Sequence, residues 1–115
     1  MKLQISPKVT DDIAQIKKYI CEECGSPATA NRIAIKIVDS YERLETFPYI
    51  GKRLDGLYNI ETDYRFLGCG SYLIFYTVGE EIISIDRVIH GRRDYCKILF
   101  GNEINDDIPE DEQGV

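Results

Sequence analysis

A chain of 115 residues and 13.2 kDa holds one domain, and at that length about 65% of the unfolded surface can be buried, enough for a core without disulfide or metal staples. The formal net charge of −6 is unevenly placed: Glu103, Asp106, Asp107, Glu110, Asp111 and Glu112 are six of the 20 acids, so residues 1–101 carry the other 14 against all 14 bases. A neutral body lacks the broad basic surface of proteins that grip a nucleic-acid backbone; the longest apolar run, residues 72–76, is far short of the ~20 residues of a membrane span; and the first residues lack the apolar stretch of a secretion signal, so a cytoplasmic protein with no membrane partner is expected.

In chain order, residues 2–5 alternate polar with apolar and predict a short strand. Ser6-Pro7 then supplies a capping side chain and a proline suited to the first helical position. Val9, Ile13, Ile16 and Ile20 recur at the spacing of one helical stripe, and Gly25 can take the left-handed conformation that ends a helix. Ser26-Pro27 repeats the start signal, and Ala30, Ile33, Ile37, Tyr41 and Leu44 line a second helix that stops at Phe47-Pro48. Residues 49–61 read as a connection containing Gly51 and Gly56. Beyond it the period shortens toward two: residues 64–67, 72–78 and 82–89 are aromatic and β-branched strands with turns at Gly68-Cys69-Gly70 and Gly79-Glu80. Residues 93–100 make a short terminal helix or arm. The order is β-α-α-β-β-β with a C-terminal element. The fold class is α+β, with two antiparallel helices on one face of a four-stranded, mainly antiparallel sheet and the other face open for a partner.

The domain is expected to cover residues 1–101. Residues 102–115, acidic and with little to bury, form a poorly ordered tail that either solvates the end of the chain or lies as an anion over Arg92 and Arg93. The four cysteines read as reduced thiols. Cys21 and Cys24 have redox-motif spacing but fall in the last turn of a helix, where the thiolate gains nothing from the helix N-terminus. A zinc site would need two more ligands, and Cys69, Cys96 and His90 are dispersed. Neither metal nor cofactor is expected.

The densest chemistry lies in the run of residues 86–95, where the only histidine, His90, stands between Arg87 and the Arg92-Arg93 pair as a strand gives way to Gly91. Alternation places Ile83, Ile85, Arg87 and Ile89 on one face and Ser84, Asp86, Val88 and His90 on the other, unless a bulge intervenes. Arg87 is then either paired to a buried carboxylate or set at the sheet's rim. Two functions suit the run. Cleavage of RNA through its 2′-hydroxyl needs a base, an acid and cations for the phosphorane, and His90, Arg92, Arg93 and Tyr95 offer these; imidazole, with an ordinary pKa of ~6.5, suits proton transfer at neutral pH. Alternatively, Arg92, Arg93, Tyr95 and Lys97, with Ile98 and Leu99, form a mixed basic and apolar tip for protein contact, which needs no catalytic group.

Tyr64-Arg65-Phe66-Leu67-Gly68, Ser71-Tyr72-Leu73-Ile74-Phe75-Tyr76 and the stretch from Ile85 to Asp94, in this order behind two helices and a Phe47-Pro48-x-x-Gly51 turn, resemble the RelE/ParE family of toxins from type II toxin-antitoxin modules, over residues 2–100. The resemblance implies a bacterial toxin held by a cognate antitoxin in a hetero-oligomer, in modules associated with plasmid stabilization. RelE-like members cut messenger RNA on the ribosome, and ParE-like members poison DNA gyrase. Of the basic positions of the nucleases, Arg65 and Arg93 match, but Leu67 stands where a second lysine is expected and Leu73 where an arginine is expected, and apolar Leu73 cannot stabilise a phosphorane. The late tyrosine position falls near Leu99. Arg-Val-Ile-His-Gly-Arg-Arg-Asp, by contrast, is the wording of ParE-like members. The resemblance therefore implies a gyrase inhibitor that binds its target through Arg92, Arg93, Tyr95 and Lys97, with no catalytic residues. The alternatives are a messenger-RNA endonuclease using His90, Arg65, Arg93 and Tyr95 with the ribosome as partner, and an inactive member that only binds an antitoxin.

Overall fold

The computed structural model describes residues 1–56 and 61–100. The expectation for residues 102–115 lies outside the described residues. Strand β1 (Lys2–Ile5) leads into helix α1 (Pro7–Cys24), then α2 (Pro27–Glu42), the two-residue strand β2 (Lys52–Arg53), β3 (Arg65–Cys69), β4 (Tyr72–Val78), β5 (Ile82–His90) and a short helix α3 (Tyr95–Phe100). The five strands lie in the order β1-β5-β4-β3-β2, with β1 parallel to β5 and the other pairs antiparallel.

Both long helices start where local chemistry dictates. The Ser6 hydroxyl accepts from the Lys8 amide at 3.2 Å, and Ser26 accepts from the Thr29 amide at 3.2 Å, each ahead of a proline with no amide to satisfy. Gly25, at φ 63°, ends α1 in the left-handed region and donates to the Cys21 carbonyl. Helix α2 gives way at Arg43 to a 3₁₀ turn that ends ahead of Phe47-Pro48. The stripes of the two helices cover Ile74, Tyr76, Ile83, Ile85 and Val88 on one sheet face, with Ile37 and Leu44 fully buried between the layers.

Three features differ from the sequence-based expectation. The sheet gains a fifth strand, β2, too short and too exposed to show any periodicity. Strand β3 continues through Gly68 to Cys69, so the turn shrinks to Gly70-Ser71, with Gly70 at φ 59° as a two-residue hairpin requires. The second sheet face is not left open: α3 lies on it, and Tyr95, Ile98, Leu99 and Phe100 pack around Phe75, Ile89 and Leu54. An apolar sheet face of this kind must be covered, and the nearest chain to cover it is the segment leaving β5.

The Phe47-Pro48-x-x-Gly51 turn is fixed by a close approach. The Gly51 amide donates to the Tyr76 hydroxyl at 2.9 Å, and that hydroxyl donates to the Pro48 carbonyl at 3.0 Å. A Cβ on Gly51 would collide with the Tyr76 ring and fall 2.7 Å from the Phe66 carbonyl oxygen, so only glycine fits.

Candidate functional site

The cationic end of β5 is positioned by a bulge and a buried carboxylate. On β4, Phe75 faces Arg87 while its neighbour Tyr76 faces Ile85, which leaves Asp86 as the extra residue. The bulge switches the alternation. Ile83 and Ile85 remain in the helix-side core, but Val88 joins them and Ile89 moves to the second face. Arg87 is therefore not an interruption in the helix-side core, as strict alternation predicted. Its guanidinium reaches Asp12 on α1 through two hydrogen bonds of 2.8 Å, Nε to Oδ2 and Nη2 to Oδ1. The same Oδ2 accepts from the Val88 amide at 2.9 Å. This amide lies on β5 beyond the last residue paired to β1, so Asp12 takes the place of the missing strand. Both alternatives for Arg87, a buried partner and the rim, are realised together. Hydrogen bonding to Asp12 raises the Arg87 pKa further above the ordinary guanidinium value.

Beyond Val88 the strand borders a groove of about 410 Å³ between β5 and α1. Ile16, Tyr19, Tyr72 and Val88 make it apolar, and His90, Arg92 and Arg93 stand at its end. His90 meets Tyr72 edge-on at 5.2 Å between ring centroids, and its Nδ1 accepts from the Arg92 amide at 3.1 Å. A neutral imidazole that accepts at Nδ1 carries its proton on Nε2, so the nitrogen left for a ligand is a donor. Burial, with smaller contributions from Tyr19 and Cys24, pushes the Tyr72 phenol above its ordinary pKa. Arg92 and Arg93 are exposed on the turn after β5, and among the described residues neither forms an ion pair.

The remaining predicted site residues are scattered. Tyr95 is half-buried, its ring 5.2 Å from that of Phe75 in the second core. Lys97 is exposed two residues later on α3, where its amide is capped by Asp94. Arg65 donates to the Gly51 carbonyl at 2.9 Å and lies 4.9 Å from the Tyr49 ring centroid, so its charge braces the turn next to β2. The register keeps it from His90. Arg65 is opposite Tyr76 and His90 opposite Tyr72, which separates them by about 13 Å along the sheet and about 10 Å across it. Leu67 and Leu73 pack on opposite faces of the sheet, Leu67 against the helix-side core and Leu73 against the second.

Sequence reasoning missed several groups that shape this end. Asp12 lies among Val9, Ile13 and Ile16 on the buried stripe of α1, and an acid on an apolar stripe was the available signal. Tyr64 donates to Asp86 Oδ2 at 2.7 Å and meets Phe100 edge-on at 5.8 Å. Burial and that carboxylate raise the Tyr64 pKa well above the phenol value. Tyr64 and Asp86, with Lys8, Arg87 and Leu99, border a second, more polar cavity of about 260 Å³. Among the described residues no cluster of histidine, cysteine and carboxylate side chains is placed to hold a metal ion, and no helix is long and apolar enough to cross a membrane.

Against this geometry, three comparisons place the chain. A family model described as the ParE toxin of the type II toxin-antitoxin system parDE matches residues 3–95. The fold is similar to a solved structure of the chromosomal ParDE toxin-antitoxin system from P. aeruginosa, at 20% identity and a TM-score of 0.66, covering 78% of this chain and 95% of that one. YafQ from E. coli strain BL21(DE3) is a more distant likeness, at 12% identity and a TM-score of 0.41, covering 87% of this chain and 98% of that one. No curated protein matches the chain.

Proposed function

The chain belongs to the ParE toxin family of type II toxin-antitoxin systems, and from that premise we propose that it inhibits DNA gyrase through the Arg92-Arg93 edge and is neutralised by a cognate antitoxin. The observation that carries this reading is the fate of the arginines on β3, on β5 and on the turn after it. Arg87 is consumed by Asp12 and Arg65 by the Gly51 turn, while Arg92 and Arg93 stand exposed without a counter-ion among the described residues. Arginine on an ordered turn beside an apolar groove has the composition of a protein-binding anchor. Lys97 is exposed on α3, and Tyr95 contributes by holding α3 to Phe75.

Purified protein at micromolar concentration should block supercoiling by gyrase and accumulate cleaved DNA, and Arg92→Ala with Arg93→Ala should weaken both effects. Unaltered supercoiling and cleavage would refute the proposal.

One observation favours a second reading, cleavage of messenger RNA. His90, Arg92 and Arg93 line the same groove, so an imidazole and two phosphate-binding groups share one cavity. Against it stand the distance of Arg65 and the apolar Leu73. Translating ribosomes incubated with the protein should show cuts that His90→Ala abolishes if this reading holds. Expression without antitoxin that leaves growth unaffected would point instead to a chain that only binds its antitoxin.

A further inference from the structure

The groove between α1 and the end of β5 sets an aromatic wall beside two cations that form no ion pair among the described residues. Its layout follows from one anchor. Asp12 accepts from the Val88 amide at 2.9 Å, and from that level α1 advances about 10 Å to Tyr19 while β5 advances about 7 Å to His90. Tyr72 is opposite His90 in the register and lines the groove with Tyr19. Both phenol rings, the imidazole and the turn carrying Arg92 and Arg93 are thus gathered at one end. Tyr72 is buried and Tyr19 is 59% exposed, so Tyr19 is the ring accessible to a ligand. The volume of about 410 Å³ is that of a small-molecule site.

An apolar ligand would leave the guanidiniums unused, and a bare anion would leave the tyrosine unused. A flat heteroaromatic ring joined to a phosphate uses both. Stacking on tyrosine accepts any base, and arginine holds phosphate oxygens by paired hydrogen bonds. His90 keeps a donor at Nε2, and Gln15, which also lines the groove, offers an amide donor and acceptor to a base edge. The Asp12 carboxylate at the other end is neutralised by Arg87 and does not repel the phosphate. We propose that this groove binds a nucleoside monophosphate, with the base on Tyr19 and the phosphate on Arg92 and Arg93. The binding does not depend on gyrase being the target of the arginine pair. A neutral body disfavours a long nucleic-acid track, but a single nucleotide needs only the local pair. One stacked ring and two exposed guanidiniums hold such a ligand at about 0.1–1 mM.

The test titrates the full chain with AMP to about 5 mM at low salt, followed by amide resonances, with adenosine and ribose 5-phosphate as the two half-ligands. AMP should shift the amides of Tyr19, His90, Arg92 and Arg93 saturably. Lys2 and Glu81, at the opposite end of β5, serve as controls and should stay in place. Each half-ligand should bind about ten-fold more weakly than AMP, and about 0.5 M NaCl should weaken AMP but not adenosine. Tyr19→Ala should weaken AMP about ten-fold, whereas Tyr19→Phe, which keeps the ring, should stay within about two-fold. Arg92→Ala with Arg93→Ala should reduce AMP to the affinity of adenosine. These side chains are exposed, so the variants should fold, and unchanged Lys2 and Glu81 amides check that they do. Three results would overturn the proposal: no saturable shift at the groove amides, ribose 5-phosphate binding as tightly as AMP, which means an adventitious ion only, or Tyr19→Ala binding AMP as well as the unaltered chain.

Discussion

Asp12→Ala tests whether the end of β5 is held by the helix or by the sheet. Asp12 is 8% exposed and the Arg87 side chain 20%. Truncation removes three hydrogen bonds at once, leaving the Val88 amide without an acceptor and a largely buried guanidinium without a counter-charge. Removing one partner of a buried pair costs about 3–5 kcal/mol. The residual exposure of Arg87 lets water recover part of this, so about 3 kcal/mol is expected. For 115 residues the unfolding entropy is about 0.24 kcal/mol/K, and the loss corresponds to a fall in Tm of about 12 °C. Asp12→Asn keeps an acceptor for Val88 and should lose about half as much. Asp12→Leu with Arg87→Met removes both charges and should cost less than the two single changes summed, because neither is then left buried alone. The assay is thermal and urea unfolding of Asp12→Ala, Asp12→Asn, the double variant and its two single changes, Asp12→Leu and Arg87→Met. A loss below about 1 kcal/mol for Asp12→Ala, or additive single costs in the double variant, would refute the reasoning.

Gly51→Ala should destabilise by about 2–4 kcal/mol in urea unfolding, since its Cβ meets the Tyr76 ring and the Phe66 carbonyl; a neutral effect would mean that the turn moves aside freely. Tyr76→Phe removes a hydroxyl with two hydrogen bonds and should cost about 1–3 kcal/mol, with crosspeak changes at Gly51 and Arg65 marking a loosened turn. The phenols of Tyr64 and Tyr76 are raised by burial above the ordinary value of 10.0, so the stability they contribute is complete below pH 10 and is lost as the pH rises through their folded-state values. Phenolate absorbance in a chain with eight tyrosines and no tryptophan should therefore rise in two stages, the later one coinciding with loss of circular dichroism; a single stage in a still-folded protein would contradict this. Growth arrest on expression should be weakened by Arg92→Ala and Arg93→Ala and preserved in His90→Ala, and the reverse pattern would favour RNA cleavage.

The helices were legible because their signals are local: Ser6-Pro7, Ser26-Pro27 and Gly25 act through the adjacent backbone, and the apolar stripes repeat at helical spacing. The bulge at Asp86 was not, because it is set by the partner strand, where Phe75 and Tyr76 take up positions two residues apart on β5. One shifted register moved Ile89 from the expected helix-side core to the second face and explained how Arg87 could leave the sheet toward α1. For α3 the element was legible and its packing was not. Tyr95, Ile98 and Leu99 look like exposed anchors until Leu73, Phe75 and Ile89 are seen to present an apolar face that needs a cover. The separation of Arg65 from His90 likewise follows only from the strand order and pairing.

The phrase Arg-Val-Ile-His-Gly-Arg-Arg-Asp divides, on this geometry, into groups spent on folding and groups left over. Arg87 holds Asp12, Val88 enters the helix-side core, and Ile89 enters the second. His90 stands against Tyr72 and caps the Arg92 amide, the Gly91 amide donates to Ser71, and Asp94 caps the first turn of α3 at Lys97. Even the Arg93 amide is used, donating to the His90 carbonyl. Only the side chains of Arg92 and Arg93 have no structural partner among the described residues. Their backbone is fixed on both sides while their guanidiniums face solvent, so little backbone entropy remains to be lost when an anionic surface binds there. An imidazole and several cations in one short run suggested a catalytic cluster. Hydrogen bonding assigns all but two of those groups to the scaffold, and what the scaffold presents is a pair of guanidiniums on a fixed backbone beside an apolar groove.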